Sequence, residues 1–160
     1  MFKKLIQTNN DTTAFILRLI LGLVFFPHGA QKVLGWFGGY GFSGTMGFFT
    51  DTMGIPVLFA FLAIAAEFLG AIGLIVGFLT RIAAFGIGAV MVVATTVHWS
   101  NGFFMNWSGT QSGEGFEYHL LALAISLAVI IKGAGRWSID QALSDNNTQE
   151  ETPNVYATAS

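Results

Sequence analysis

The sequence predicts an all-α integral membrane protein, a four-helix bundle with a glycine-rich outer loop between its first two spans. Three observations predict it. Hydrophobic residues make up 53% of the chain and charged residues only 10%, against about 25% charged in ordinary soluble domains. The apolar residues gather in four runs, at about 14–34, 57–79, 82–98 and 117–132, and about 20 apolar residues in a helix cross a bilayer core of roughly 30 Å. Tryptophans stand at the edges of these runs, at 36, 99, 107 and 137, as expected of an aromatic belt at the membrane surfaces.

Composition also excludes functions. With no cysteine there is no disulfide, no thiolate-bound metal and no covalent haem, so any electrons must be carried by something bound. The formal charge of −2 comes from acids late in the chain; without Asp140, Asp145, Glu150 and Glu151, five acids remain against seven bases. Neither balance suggests nucleic acid as a partner.

Residues 1–13 read as a polar leader carrying Lys3 and Lys4. A basic start before an apolar run resembles a secretory signal, with Ala30 as a small residue near a cut. Arg18 inside the run, and Pro27, His28 and Lys32 beyond it, fit a retained helix better. Asp11 with Thr12 or Thr13 supplies its start.

In the first span, Arg18 is costly: a cation at the centre of a membrane helix costs on the order of 2.5 to 3.5 kcal/mol. It must either snorkel to the nearer headgroups or pair with a carboxylate, for which Glu67 is the candidate. Pro27 removes a backbone donor and is expected to kink the helix or loosen its last turns. Past it, His28, Gln31 and Lys32 fall at i, i+3 and i+4, so they share a face if the helix continues.

The outer loop at 35–56 is rich in glycine and aromatic residues. Met46, Phe49 and Met53 recur at spacings that let a short helix lie flat on the membrane as a lid. Pro56 suits the first turn of the second span. That span holds small residues at Ala66, Gly70, Gly73 and Gly77, which permit close helix approach and would favour a homo-oligomer. Glu67 near its middle is either a protonated hydrogen-bonder or the partner of Arg18 or Lys32.

A turn at Thr80 and Arg81 leads into the third span, which becomes polar at Thr95, Thr96 and His98. The loop at 99–116 holds aromatic anchors, and the fourth span is short for a bilayer. Glycines at 133 and 135 end it. Ser138 and Gln141 have capping-box spacing for a short helix, and 141–160 reads as a disordered polar tail.

Four spans put both termini on one side. With the termini cytoplasmic, the inner flanks hold Lys3, Lys4, Arg81, Lys132 and Arg136, against Lys32 outside, as the positive-inside rule requires. His28, Gln31, Lys32, His98, Glu117 and His119 then all reach the outer half, with Glu67 below them. They form a polar pocket, or are simply polar helix ends. Glu117 and His119 are two residues apart and point about 200° from each other on a regular helix, so spacing does not support a three-histidine metal site. No serine near a histidine has the spacing of a catalytic triad.

The ordered pieces RLILGLVFFPHGAQK (18–32), GFSGTMGFF (41–49), AEFLGAIGLIVGFLTR (66–81), His98, GFEY (115–118) and GAGRWSID (133–140) resemble the DoxX family. The resemblance implies a bacterial inner-membrane four-helix protein. The family name is shared with small subunits of thiosulfate:quinone oxidoreductase, and related members are linked to membrane redox or oxidative-stress complexes. One expectation is therefore a membrane subunit that binds quinone and works with a soluble or membrane redox protein. Glu67 and His28 would then handle protons as its catalytic residues, Arg18 or Lys32 would hold a reduced oxygen, and Gln31, His98, Glu117 and His119 would complete the ligand site. The other expectation is a non-enzymatic component: an assembly factor, a small transporter or a lipid-binding bundle.

Overall fold

The computed structural model describes residues 2–150, and among these there are helices and no strands. In chain order they are α1 (Phe2–Ile6), α2 (Thr12–Leu34), α3 (Gly41–Gly47), α4 (Val57–Val76), α5 (Thr80–His98), α6 (Glu117–Lys132) and α7 (Ile139–Glu150). Helix α2 packs on α4 and α6, and α5 packs on the same two, so the four long helices close into a ring. Leu21, Phe25, Ala71, Leu74, Ile87, Met91 and Val129 fill its centre. Facing outward, Leu23, Leu58, Phe61, Phe85 and Leu121 are exposed, a surface that suits lipid. Helices α2, α4 and α5 are long and apolar enough to cross a membrane. The 16 residues of α6 span only about 24 Å at 1.5 Å per residue.

Between helices in lipid the hydrophobic effect is weak, and close packing over small residues holds them together. The α2–α4 seam is built this way. A Cβ on Gly29 would lie 2.5 Å from Phe68 Cα and 2.7 Å from the Glu67 carbonyl oxygen, and one on Gly22 would lie 2.9 Å from the Ala71 carbonyl oxygen. Gly70 and Gly73 face Ala83 of α5, so these small residues of the second span serve a contact inside the chain.

The turn between α4 and α5 falls earlier than the expected Thr80 and Arg81, which instead begin α5. Gly77 (φ 73°) ends α4 in the left-handed conformation, and Leu79 (φ 48°) precedes α5. A cap from far along the chain explains the register: the Asp140 carboxylate, 1% exposed, accepts from the Leu79 and Thr80 N–H groups at 2.8 and 2.9 Å.

The leader is not merely polar, since α1 packs on α5 and α7 and Ile6 is buried. Asp11 caps α2, accepting from the Thr13 and Ala14 N–H groups and from Lys132 Nζ at 2.5 Å. The Lys132 bond first, and the Ala14 N–H next, hold its carboxyl below the ordinary value of 3.8. At the other end, Ser138 Oγ accepts from the Gln141 N–H while Gln141 Oε1 accepts from the Trp137 N–H. Helix α7 thus started runs to Glu150, into the region expected to be a disordered tail; 151–160 lie outside the described residues.

The glycine-rich loop, expected to lie on the membrane as a lid, folds into short helical turns packed on α2 and α4. Gly35 (φ 71°) ends α2, and α3 is followed by a π-helical turn over Phe48–Thr52. Thr45 is buried, and Phe42 meets Phe61 of α4 edge-on, with ring centroids 6.4 Å apart.

Candidate functional site

Two cations near opposite ends of α2 meet α4, Arg18 at its last turn and Lys32 at Glu67 near its middle. Arg18 lies at the terminal end, near the chain ends. It is fully buried, but it neither snorkels nor pairs with Glu67. Its Nε donates to the Ala134 carbonyl (2.7 Å), Nη1 to those of Leu74 (2.7 Å) and Ile75 (2.8 Å), and Nη2 to those of Arg136 (3.3 Å) and Trp137 (2.7 Å). The Phe15 ring lies 5.1 Å from its guanidinium carbon. Leu74 and Ile75 stand in the last turn of α4, where carbonyls lack helical partners and the helix dipole favours a cation. With five acceptors for the five N–H bonds of a guanidinium, Arg18 is a strut and stands apart from the polar cluster at the other end.

At the lid end, α2 continues unbroken through Pro27 to Leu34, although Pro27 offers no N–H to Leu23. His28, Gln31 and Lys32 therefore keep helical spacing. Gly29 presses α2 against Glu67, and one turn further on Lys32 Nζ meets Glu67 Oε2 at 2.5 Å. Their side chains are 23% and 6% exposed. Of the two partners expected for Glu67, the structure selects Lys32. His28 is exposed and stands one turn before Lys32 on α2. Tyr118, at the start of α6, stacks its ring on Phe25 at 6.3 Å, and its hydroxyl is buried and meets no hydrogen-bond partner. Sequence reasoning missed Tyr118. The signal available was its place one residue before His119, on the face that Glu117 and His119 leave between them.

The remaining expected residues divide. Gln31 donates to the Phe37 carbonyl at 3.2 Å and ties the lid to α2. His98 and His119 stack with ring centroids 4.9 Å apart, and His119 Nδ1 is buried without a partner. Contacts from Tyr118 to His119 (5.7 Å) and from Phe25 to His28 (6.1 Å) join this pair to the Lys32–Glu67 cluster through a string of rings. Glu117 points away, as its spacing from His119 requires: Oε1 accepts from the Met105 N–H (3.0 Å) and Trp107 Nε1 (3.4 Å) and orders the loop before α6. It is not part of the cluster. Among the described residues no three His, Asp or Glu converge to hold a metal ion.

The arrangement pairs a cation with a carboxylate, with an exposed imidazole one turn away on α2 and a buried, unpartnered phenol at the start of α6. These groups can bind an oxygen and exchange protons with it. No curated protein and no solved structure matches the chain. A sequence model of the DoxX family matches residues 13–99, from the start of α2 to the end of α5, a stretch that holds His28, Lys32 and Glu67. The chain belongs to the DoxX family, as a membrane protein of that family.

Proposed function

We propose that the protein is a quinone-binding membrane subunit that works with a redox partner, and that the Lys32–Glu67 pair is its head-group site. The observation that carries this reading is the pair itself, largely withdrawn from solvent, with His28 one turn before Lys32 on α2. A buried pair is seldom retained for stability, because apolar residues of like volume do as well or better. A quinone brings two carbonyl oxygens on a flat apolar ring and, when bound, supplies two-electron, two-proton redox chemistry.

The residues present fit such a head group. Lys32 keeps ammonium N–H bonds beyond the one on Glu67 and can hold an oxygen. The Tyr118 hydroxyl, otherwise without a partner, can donate to it or accept from it. Glu67 takes or returns a proton, and the exposed His28 exchanges it with the surroundings. A chain without cysteine must receive or deliver the electrons through a partner. In the same reading the basic flanks at the terminal end face the cytoplasm of a bacterial inner membrane, and the lid faces out.

The test is binding of a short-chain quinone to the reconstituted protein, with turnover measured in native membranes that contain the partner. Lys32→Gln and Glu67→Gln are each expected to weaken binding about tenfold, the effect of losing one charge-assisted hydrogen bond. Unchanged quinone affinity and turnover in both variants would end this reading. A liposome flux that responds to pH and to Glu67→Gln, with no quinone affinity, would replace it with a small proton-coupled transporter.

A further inference from the structure

The terminal end carries a second polar feature, independent of the Lys32–Glu67 site. A cavity of about 310 Å³ opens between the α1–α2 linker, the start of α5 and the end of α6, lined by polar residues of the linker with Asp11, Arg81, Ile131 and Lys132. Two cations and one carboxylate line it, and the carboxylate is already engaged by two N–H groups of α2 and by Lys132. Arg81 differs. Its Nη1 donates to the Ile130 and Ile131 carbonyls and its Nη2 to the Gln7 carbonyl, all neutral acceptors. Its Nε is buried and has no acceptor. Among the described residues no carboxylate pairs with it.

A guanidinium partly withdrawn from water without a counter-anion is costly, and an anion seated against it relieves that cost. The setting narrows the anion. Arg81 begins α5 and Lys132 ends α6, at the level where membrane helices meet headgroups. Ile131 lines the cavity and is 75% exposed, so the charged cavity has an apolar edge. A free phosphate gains nothing from such an edge, whereas an acyl chain lies along it. We propose that this cavity binds the phosphate of an anionic phospholipid, with Arg81 as the principal donor and Lys132, shared with Asp11, as the second. Basic pockets between membrane helices recognise headgroups by this chemistry.

The experiment compares spin-labelled phosphatidylglycerol and phosphatidylcholine for association with the full chain in phosphatidylcholine nanodiscs. In parallel, the thermal midpoint in detergent is read with either lipid or with inorganic phosphate. Wild-type protein is expected to prefer phosphatidylglycerol, and Arg81→Gln to reduce that preference about fivefold, the effect of one basic residue at a membrane surface. Arg81→Lys should retain part of it. If only inorganic phosphate raises the midpoint in an Arg81-dependent manner, the phosphate site stands and its lipid source is overturned. Equal association of the two lipids, or a preference untouched by Arg81→Gln, overturns the site. Should Arg81→Gln fail to assemble, Lys132→Gln decides: a loss in the same direction supports the site, and an unchanged preference overturns it.

Discussion

Helix α2 carries two cations fourteen residues apart, and the protein treats them in opposite ways. Arg18 gives every N–H to a backbone carbonyl and is sealed from solvent. Lys32 touches one carboxylate, keeps donors in reserve and stays partly exposed. The first arrangement ends the chemistry of the charge, and the second leaves it open. In a membrane helix, then, the cost of a buried charge does not by itself mark a functional site. What marks one is hydrogen-bonding capacity left over after the fold has been satisfied, and here that capacity lies at the lid end.

The comparison breaks most decisively at Arg18. Arg18→Met would leave five carbonyls without this donor, two of them in buried bonds (Ala134 and Leu74) at about 1–3 kcal/mol each and three part-buried, a loss that reaches the lower end of the whole stability of a domain. No monodisperse protein is expected from membranes on size exclusion. Arg18→Lys, with three donors in place of five, should recover only part of the yield. Full recovery would show that charge rather than the guanidinium fork is what matters.

Next in size is the seam that brings Lys32 to Glu67. In Gly29→Ala the new methyl must push α2 away from Phe68 and Glu67. Overpacking of this kind costs about 1–3 kcal/mol, read as a lower thermal midpoint, with weaker quinone binding alongside it. A variant with wild-type stability and binding would show that the close approach is not what sets the site.

The double variant Lys32→Met with Glu67→Met sharpens the contrast with Arg18. Its stability should stay within about 1 kcal/mol of wild type or rise, while quinone binding is lost. Removing a strut destroys the fold; removing a site spares it. A large loss of stability in the double variant would move Lys32 and Glu67 into the class of Arg18.

The smallest effect concerns Asp11, whose carboxyl is held below its ordinary 3.8, chiefly by Lys132. Because the folded-state value is the lower one, its stabilisation is fully present above the ordinary value and is lost as pH falls through the folded-state value. Asp11→Asn should therefore flatten the acid limb of a plot of thermal midpoint against pH and change little at neutral pH. An acid limb of unaltered slope would show that the Lys132 contact contributes nothing to stability.

Much of this architecture was legible in the sequence. Apolar runs bounded by glycine, proline and capping residues mark membrane helices strongly, because lipid admits few alternatives. The meeting of Lys32 with Glu67 was legible as one of the choices open to Glu67, but the choice itself was not. It depends on Gly29, whose role is a distance between two backbones and has no signature in one sequence. Arg18 was misread for a related reason: its partners are carbonyls, which every residue carries, so no side chain announces them. Asp140 was hidden by range, since it caps a helix that begins sixty residues before it.

That distance along the chain has a consequence during synthesis. The carbonyls of 134–137 that receive Arg18, and the Asp140 cap of α5, all emerge from the ribosome after the fourth helix. A nascent chain with three helices inserted holds a guanidinium short of acceptors and a helix start without its cap. The final dozen or so residues of the bundle act as a latch that closes both at once. A chain that stops before residue 133 leaves three of the five acceptors of Arg18 and the cap of α5 unmade, so the bundle is finished only when this last segment is in place.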